Sequence, residues 1–452
     1  MTENPLGYEK ISKLLKNFAV PSIVASLIGS IYNIVDQIFI GQGVGYLGNA
    51  ATNVAYPFST ICLAIALLVG IGSASSVSLC LGRKEPKAAA KAAGNGIVLM
   101  GIFGIIYLLV GETFLSLLLK AFGATTDVFP YAKQYASITL IGMPFLIVTN
   151  GMSNLIRADG KPKYSMVCMV MGAIINTILD PIFISILNPY GMGIEAAAYA
   201  TIFSQFVQAA ITLWYFKKKS PHVKIGRIRI DGELLPQVLS VGVSALLMQI
   251  LTLVQQTVIY RVASNYGGET SQLLLGAALR FWNFSFVPLW GISQGFQPAA
   301  GTNYGAKDYD RVKTLTRVFI TAATLLSLVF YIPAELFPEK ILSMFLTTPG
   351  IAASGATNFR IMFSTYVLQG SFMIAVTLFQ SLGKAKKATW LVLFRQIILF
   401  IPLCVVLPMI GGMGIRGVWL AIALTDAILV VITVSMMLYE FGKLPETSSV
   451  NR

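Results

Sequence analysis

Leu79-Cys80-Leu81-Gly82-Arg83-Lys84 closes one long apolar run, and Asn303-Tyr304-Gly305-Ala306-Lys307 closes another, with the two glycines 223 residues apart. Gly160-Lys161 and Gly383-Lys384 share that offset, and Met192-Gly193-Ile194 returns as Met413-Gly414-Ile415 at an offset of 221. Landmarks recurring at nearly constant spacing mark an internal duplication. The matched loops are positive in both copies, so they face one side and an even number of chain crossings lies in each copy.

The runs between these landmarks are long enough to cross a bilayer, which takes about 20 largely apolar residues. They fall near 17–41, 53–81, 93–119, 129–156, 164–187, 193–216, 236–264, 274–304, 312–333, 357–382, 388–410 and 415–441. With 56% apolar residues, 12% charged and a mean hydropathy of +0.74 over 452 residues, the chain has more apolar surface than a soluble core can hide. The expected fold is an all-α polytopic membrane protein of twelve transmembrane helices, two six-helix bundles in a parallel repeat, with lobes at 1–220 and 221–452. The polar stretch from Lys217 to Glu233, with Asp231-Gly232 near its end, suits a linker between them. Parallel repeats of this kind build transporters with a binding cavity between the halves; a duplicated scaffold is the plainer alternative.

A formal charge of +14 could point to nucleic acid, but the basic residues occupy alternate loops. They cluster at Lys10, Lys13 and Lys16; Arg83, Lys84, Lys87 and Lys91; Arg157, Lys161 and Lys163; Lys217, Lys218, Lys219, Lys224, Arg227 and Arg229; Lys307, Arg311, Lys313 and Arg317; Lys384, Lys386 and Lys387; and Lys443 with Arg452. These make 25 of the 33 Lys and Arg residues, and the loops between, such as 41–52 and 188–195, have almost none. That is the positive-inside pattern, which predicts both termini in the cytoplasm and makes a nucleic-acid partner unnecessary. The short charged N-terminus leads into a full-length apolar helix without a cleavage site and is expected to be the first span. Cys62, Cys80, Cys168 and Cys404 lie scattered in apolar segments, where packing is the simplest role, and the single His222 sits in the basic central loop, where solvation is.

A charged residue at mid-bilayer costs about 2.5 to 3.5 kcal/mol on insertion scales, so each acid inside a span needs a reason. Asp36, Asp180 and Asp426 are the clear cases. Tyr32 and Asp36 are one helical turn apart, as are Asn176 and Asp180, so each pair shares a face; Asn33 is adjacent and Thr201 adds a hydroxyl to the sixth span. Pro181 removes the hydrogen bond to the Thr177 carbonyl and leaves a free acceptor at the same depth. Carboxylate, amide and hydroxyl oxygens suit a hard cation such as Na+, and two close carboxylates can instead share a proton. Sequence alone leaves both ions open.

The second half breaks the symmetry. Leu391 to Met409, the counterpart of the fifth span, has Arg395 and Gln396 but no acid, and the counterpart of the first has Gln255 and Gln256. Any ion site therefore belongs to the N-terminal half. Arg280 and Arg395 are deep cations that could pair with Asp426 or snorkel. Met143, Phe145, Met248, Gln256, Phe281, Trp282 and Phe286 are candidates for a cavity holding flat lipophilic cations, with ordinary helix packing as the competing explanation. No nucleotide-binding motif is present, so ATP is not the expected energy source.

Four stretches then resemble one family in order along the chain: Tyr32 to Gly41 (YNIVDQIFIG), Arg157 to Lys163 (RADGKPK), Asn176 to Ile182 (NTILDPI) and Gly193 to Thr201 (GIEAAAYAT). Together they resemble the MATE (multidrug and toxin extrusion) exporters, and the first-span aspartate is similar to the DinF-like and MepA-like prokaryotic branches. The resemblance implies two bundles forming a V around a central cavity. It also implies antiport of amphipathic organic cations or drugs against Na+ or H+, with no further cofactor and a cell-membrane location. The family's cation site maps onto Asp36, Asn176, Asp180 and Thr201, with Tyr32, Asn33, Asn150 and Asn154 as supporting residues. A monomer in membrane lipid is expected. The runner-up is a lipid-linked oligosaccharide flippase of the same superfamily. A membrane enzyme is disfavoured because no catalytic cluster lies near either interface, and a channel because the halves lack a ring of matched polar groups.

Overall fold

A computed structural model of the chain describes residues 5–223, 232–346 and 350–445. Lys224, Arg227, Arg229 and Asp231 of the expected linker, and Arg452, lie outside the described residues. The described chain is nearly all helical. Among the described residues eleven helices are long and apolar enough to span a bilayer, and one of them, Leu235–Gly305, is two helices joined at a non-helical Gly268. The spans are therefore twelve: α1 (Ile11–Gly43), α2 (Tyr46–Gly82), α3 (Pro86–Thr113), α4 (Phe129–Ala158), α5 (Pro162–Tyr190), α6 (Gly193–Lys218), α7 (235–267), α8 (269–305), α9 (Tyr309–Leu336), α10 (Ala352–Ser381), α11 (Ala385–Met409) and α12 (Ile415–Gly442).

A loop was expected between α7 and α8, but the chain turns on Gly268 alone, whose φ of 62° and ψ of −160° only a glycine adopts readily. Two further short helices escape a hydropathy reading, Leu115–Ala121 and Pro338–Ser343. They begin 223 residues apart and are too short to span; each tucks apolar residues, Leu119 and Leu342 among them, against its bundle. Four of the basic loops end their helices on left-handed residues. Gly160 and Gly383 supply this conformation cheaply, while Lys84 and Lys307 both adopt it at φ 61°.

The apolar cores follow the two halves with one exchange. One core runs from Ala51 to Val238 and the other from Ile259 to Met437, but Leu6, Leu14, Phe18 and Ala19 join the second while Val223 and Val238 join the first. The opening segment of each half thus packs on the opposite bundle. A smaller cluster of Leu67, Ile71, Val241 and Ala245 stitches α2 to α7.

Candidate functional site

Three helices of the first half bring its polar residues together: α1 carries Tyr32 and Asp36, α5 carries Asn176 and Asp180, and α6 carries Thr201. All but Tyr32 are buried, with Asp180 at 0% and Asp36 at 7% exposure. Asn176 Nδ2 donates to Asp180 Oδ1 at 3.2 Å and to Thr201 Oγ1 at 3.3 Å, and Thr201 Oγ1 donates to the Ala197 carbonyl at 3.0 Å. The two carboxyl groups lie within hydrogen-bonding reach of each other, and the Tyr32 hydroxyl reaches Thr201 beside both.

This geometry is unfinished. Asp36 Oδ1, Asp180 Oδ2 and Asn176 Oδ1 are buried without a hydrogen-bond partner. Buried polar atoms are nearly always satisfied, so three orphaned oxygens in one cluster demand an explanation. They are all acceptors. Two ionised carboxylates at this separation repel, and either a shared proton or a bound cation removes the repulsion. The donor set is hard oxygen, which fits Na+ as readily as a proton.

Not every residue expected near this group is there. Asn33 is exposed and donates to its own helix at the Gly29 carbonyl, 2.9 Å away. Asn150 does the same with the Leu146 carbonyl at 3.0 Å. Asn154 faces the basic end, where its Oδ1 accepts from Arg157 Nη2 at 2.7 Å. Conversely, Tyr135 of α4 lies beside Asp36, Tyr32 and Asp180, a position the sequence reading missed. A tyrosine six residues into an apolar span was the available signal, but nothing local says which way it faces.

The residues nominated for a cavity divide between the cores. Met143 is 3% exposed inside the first core. Phe281 packs against Phe330, Phe359 and Phe363, and Trp282 against Phe363 and Tyr366, as an aromatic cluster within the second bundle. Met248 and Phe286 lean on that same core. Phe145 meets Phe206 edge-on at 5.4 Å, and Gln256 is half-buried.

In the second half the acid is already neutralised. Asp426 Oδ1 accepts from Arg395 Nη2 at 3.1 Å and Asp426 Oδ2 from Gln369 Nε2, while the Arg395 guanidinium stands 5.2 Å from the Phe372 ring centre. Arg280 is exposed and takes no part. Outside the spans, Asp159 is fully buried between α4 and α5; it accepts from Tyr215 Oη at 2.7 Å, from Ser220 Oγ at 2.5 Å and from the His222 backbone N–H at 3.3 Å. His222 is thus part of a fixed corner and not merely solvated. Burial pushes the Asp159 carboxyl up, against the pull of those hydrogen bonds, and pushes the His222 imidazole down.

The chain is similar to the probable multidrug resistance protein YoeA of Bacillus subtilis, 24% identical over 433 residues, 92% of each chain. It is likewise similar to the multidrug export protein MepA of Staphylococcus saprophyticus, 24% identical over 440 residues, 95% of this chain and 94% of that one. A solved structure of a multidrug resistance MATE family transporter in an outward-facing conformation superposes with a TM-score of 0.91 over 99% of both chains at 23% identity. The MatE family model matches residues 21–182 and again 244–406, two segments that begin 223 residues apart like the glycine landmarks. Since the two matches together cover well over half of the chain and fall once on each bundle, the chain belongs to the MatE family.

Proposed function

We propose that the protein is a secondary active multidrug exporter that moves lipophilic or cationic organic compounds out of the cell in exchange for Na+ or H+, without chemically converting them. The observation that carries this reading is the pair Asp36 and Asp180, buried at membrane depth within reach of each other, with three acceptor oxygens lacking partners. The relatives' names add support, since they are multidrug export and resistance proteins. The charge pattern supports a cell-membrane orientation with both termini and the basic loops in the cytoplasm.

Exchange follows if cation and drug each favour a different orientation of the cavity, because a ligand shifts an equilibrium only through its differential affinity. A cation or proton at Asp36 and Asp180 removes their mutual repulsion and lets α1 and α5 close together; its departure makes that packing unfavourable. Tyr32, Asn176, Thr201 and Tyr135 fix the geometry of the pair. The flippase reading is not favoured, because the matched relatives are named for drug export.

The test is drug efflux from proteoliposomes under imposed Na+ and pH gradients, one at a time. Wild type should respond to one of the gradients, and Asp36→Asn and Asp180→Asn should lose that response. Full gradient-driven efflux in both variants would sink the site assignment.

A further inference from the structure

Gly82 and Gly305 are related by the internal repeat, and they also touch each other. A Cβ placed on Gly82 would stand 2.9 Å from Gly305 Cα and 2.8 Å from Ala306 N and would collide with the Thr302 carbonyl; one placed on Gly305 would collide with the Leu79 carbonyl. Repeat-related residues in mutual contact lie on the pseudo-two-fold axis. The basic ends of α2 and α8 therefore cross backbone on backbone at the centre of the molecule, and both glycines are buried there.

Side-chain hydrogen bonds tie the two halves around this crossing. Ser75 Oγ donates to the Gln380 carbonyl at 2.6 Å, and Gln297 Nε2 donates to the Ile71 carbonyl at 3.2 Å. Arg157, only 7% exposed, gives Nη2 to Gln294 Oε1 of α8 at 2.9 Å as well as to Asn154, and Nη1 to Ser165 Oγ at 3.1 Å. Among the described residues Arg157 has no carboxylate at ion-pair distance. That choice of partner matters: a neutral amide is exchanged for water cheaply, whereas separating a buried guanidinium from a carboxylate is strongly unfavourable. A contact that must break and reform in each cycle suits the former.

We infer that the Gly82–Gly305 crossing, tied by Arg157 to Gln294, is the gate that closes the basic end, and that it parts when the cavity opens to that side. The inference rests on the export reading above, but its test needs neither drug nor ion gradient. Ser78 is fully buried, lies against Gly301, and has an unpartnered hydroxyl, so Ser78→Cys is a conservative reporter on a background lacking the four native cysteines. Its alkylation by a small maleimide should be slow with Gly82 and Gly305 intact. Gly82→Ala and Gly305→Ala should each raise the rate at least about tenfold and to a similar extent, as the pseudo-symmetry requires, whereas Gly101→Ala, which meets nothing within 4 Å, should leave it unchanged. Gln294→Ala adds no atom and tests the tie even if the glycine variants misfold; a several-fold increase is expected. Rapid labelling of the reporter background, or protection retained in Gln294→Ala and in whichever glycine variants fold, overturns the gate. A responding gate with no drug transport would instead count against the export reading alone.

Discussion

The two bundles share a duplicated framework yet treat their buried acids in opposite ways. In the first half, Asp180 and Asp159 meet neutral donors, an asparagine amide, hydroxyls and a backbone N–H, and among the described residues no basic side chain stands at ion-pair distance from either of them or from Asp36. In the second, Asp426 is paired with Arg395, and Glu440, 1% exposed, with Lys384 and Lys387. A carboxylate that brings its own cation is electrically complete and holds helices together. One surrounded by neutral groups keeps its appetite for a proton or a metal ion. On the proposed reading, the asymmetry separates a bundle that carries the coupling-ion site from one whose buried acids are already paired.

The sharpest way to break this comparison is to neutralise one acid in each bundle. Asp180→Asn should abolish gradient-driven efflux, since losing one charged ligand, about 1.5 to 3 kcal/mol, weakens ion binding roughly 10- to 100-fold. Asp426→Asn should keep a gradient response per folded molecule. Equal loss of coupling in both, measured in proteoliposomes, would end the distinction.

Stability should show the reverse. Arg395→Leu leaves Asp426 buried and unpaired, a change that costs roughly 3 to 5 kcal/mol, while the double replacement Arg395→Leu with Asp426→Leu should recover most of it. Thermal unfolding in detergent reads both, and a single variant as stable as wild type would mean the pair is not structural. Asn176→Ala removes a neutral ligand and should raise the concentration of coupling ion needed for half-maximal efflux about fivefold, for about 1 kcal/mol. A fold-change comparable to that of Asp180→Asn would instead give the amide a charged group's weight.

The smallest effect concerns the basic corner. Burial holds the His222 pKa below its usual value of about 6.5, with Asp159 pulling it up and Lys161 down. The stability it contributes is present above that value and fades as pH falls through it and the ring is forced to charge. The raised Asp159 carboxyl acts in the opposite sense, losing stability as pH rises through the carboxylate range. Acidification from pH 7.5 to 5.5 removes the imidazole's share of the stability in wild type alone, so the unfolding temperature of His222→Gln relative to wild type should rise as the pH falls.

Sequence alone determined the membrane character, the twelve spans, the duplication and the pair of acids in the first half, because hydropathy, charge position and one-turn spacing are properties of the chain that survive any packing. It also named Asn176 and Thr201, whose motifs place them one turn or one helix from the acids. It could not say that Asn33 and Asn150 would bond back to their own helices, that Tyr135 would turn toward the carboxylates, or that Met143, Phe281 and Trp282 would sink into cores. Tertiary structure decided that Arg395 and not Arg280 meets Asp426, and that Gly82 and Gly305 meet each other. Those outcomes depend on how each helix is rotated and where it crosses its neighbours, and that is set by contacts between residues tens to hundreds of positions apart.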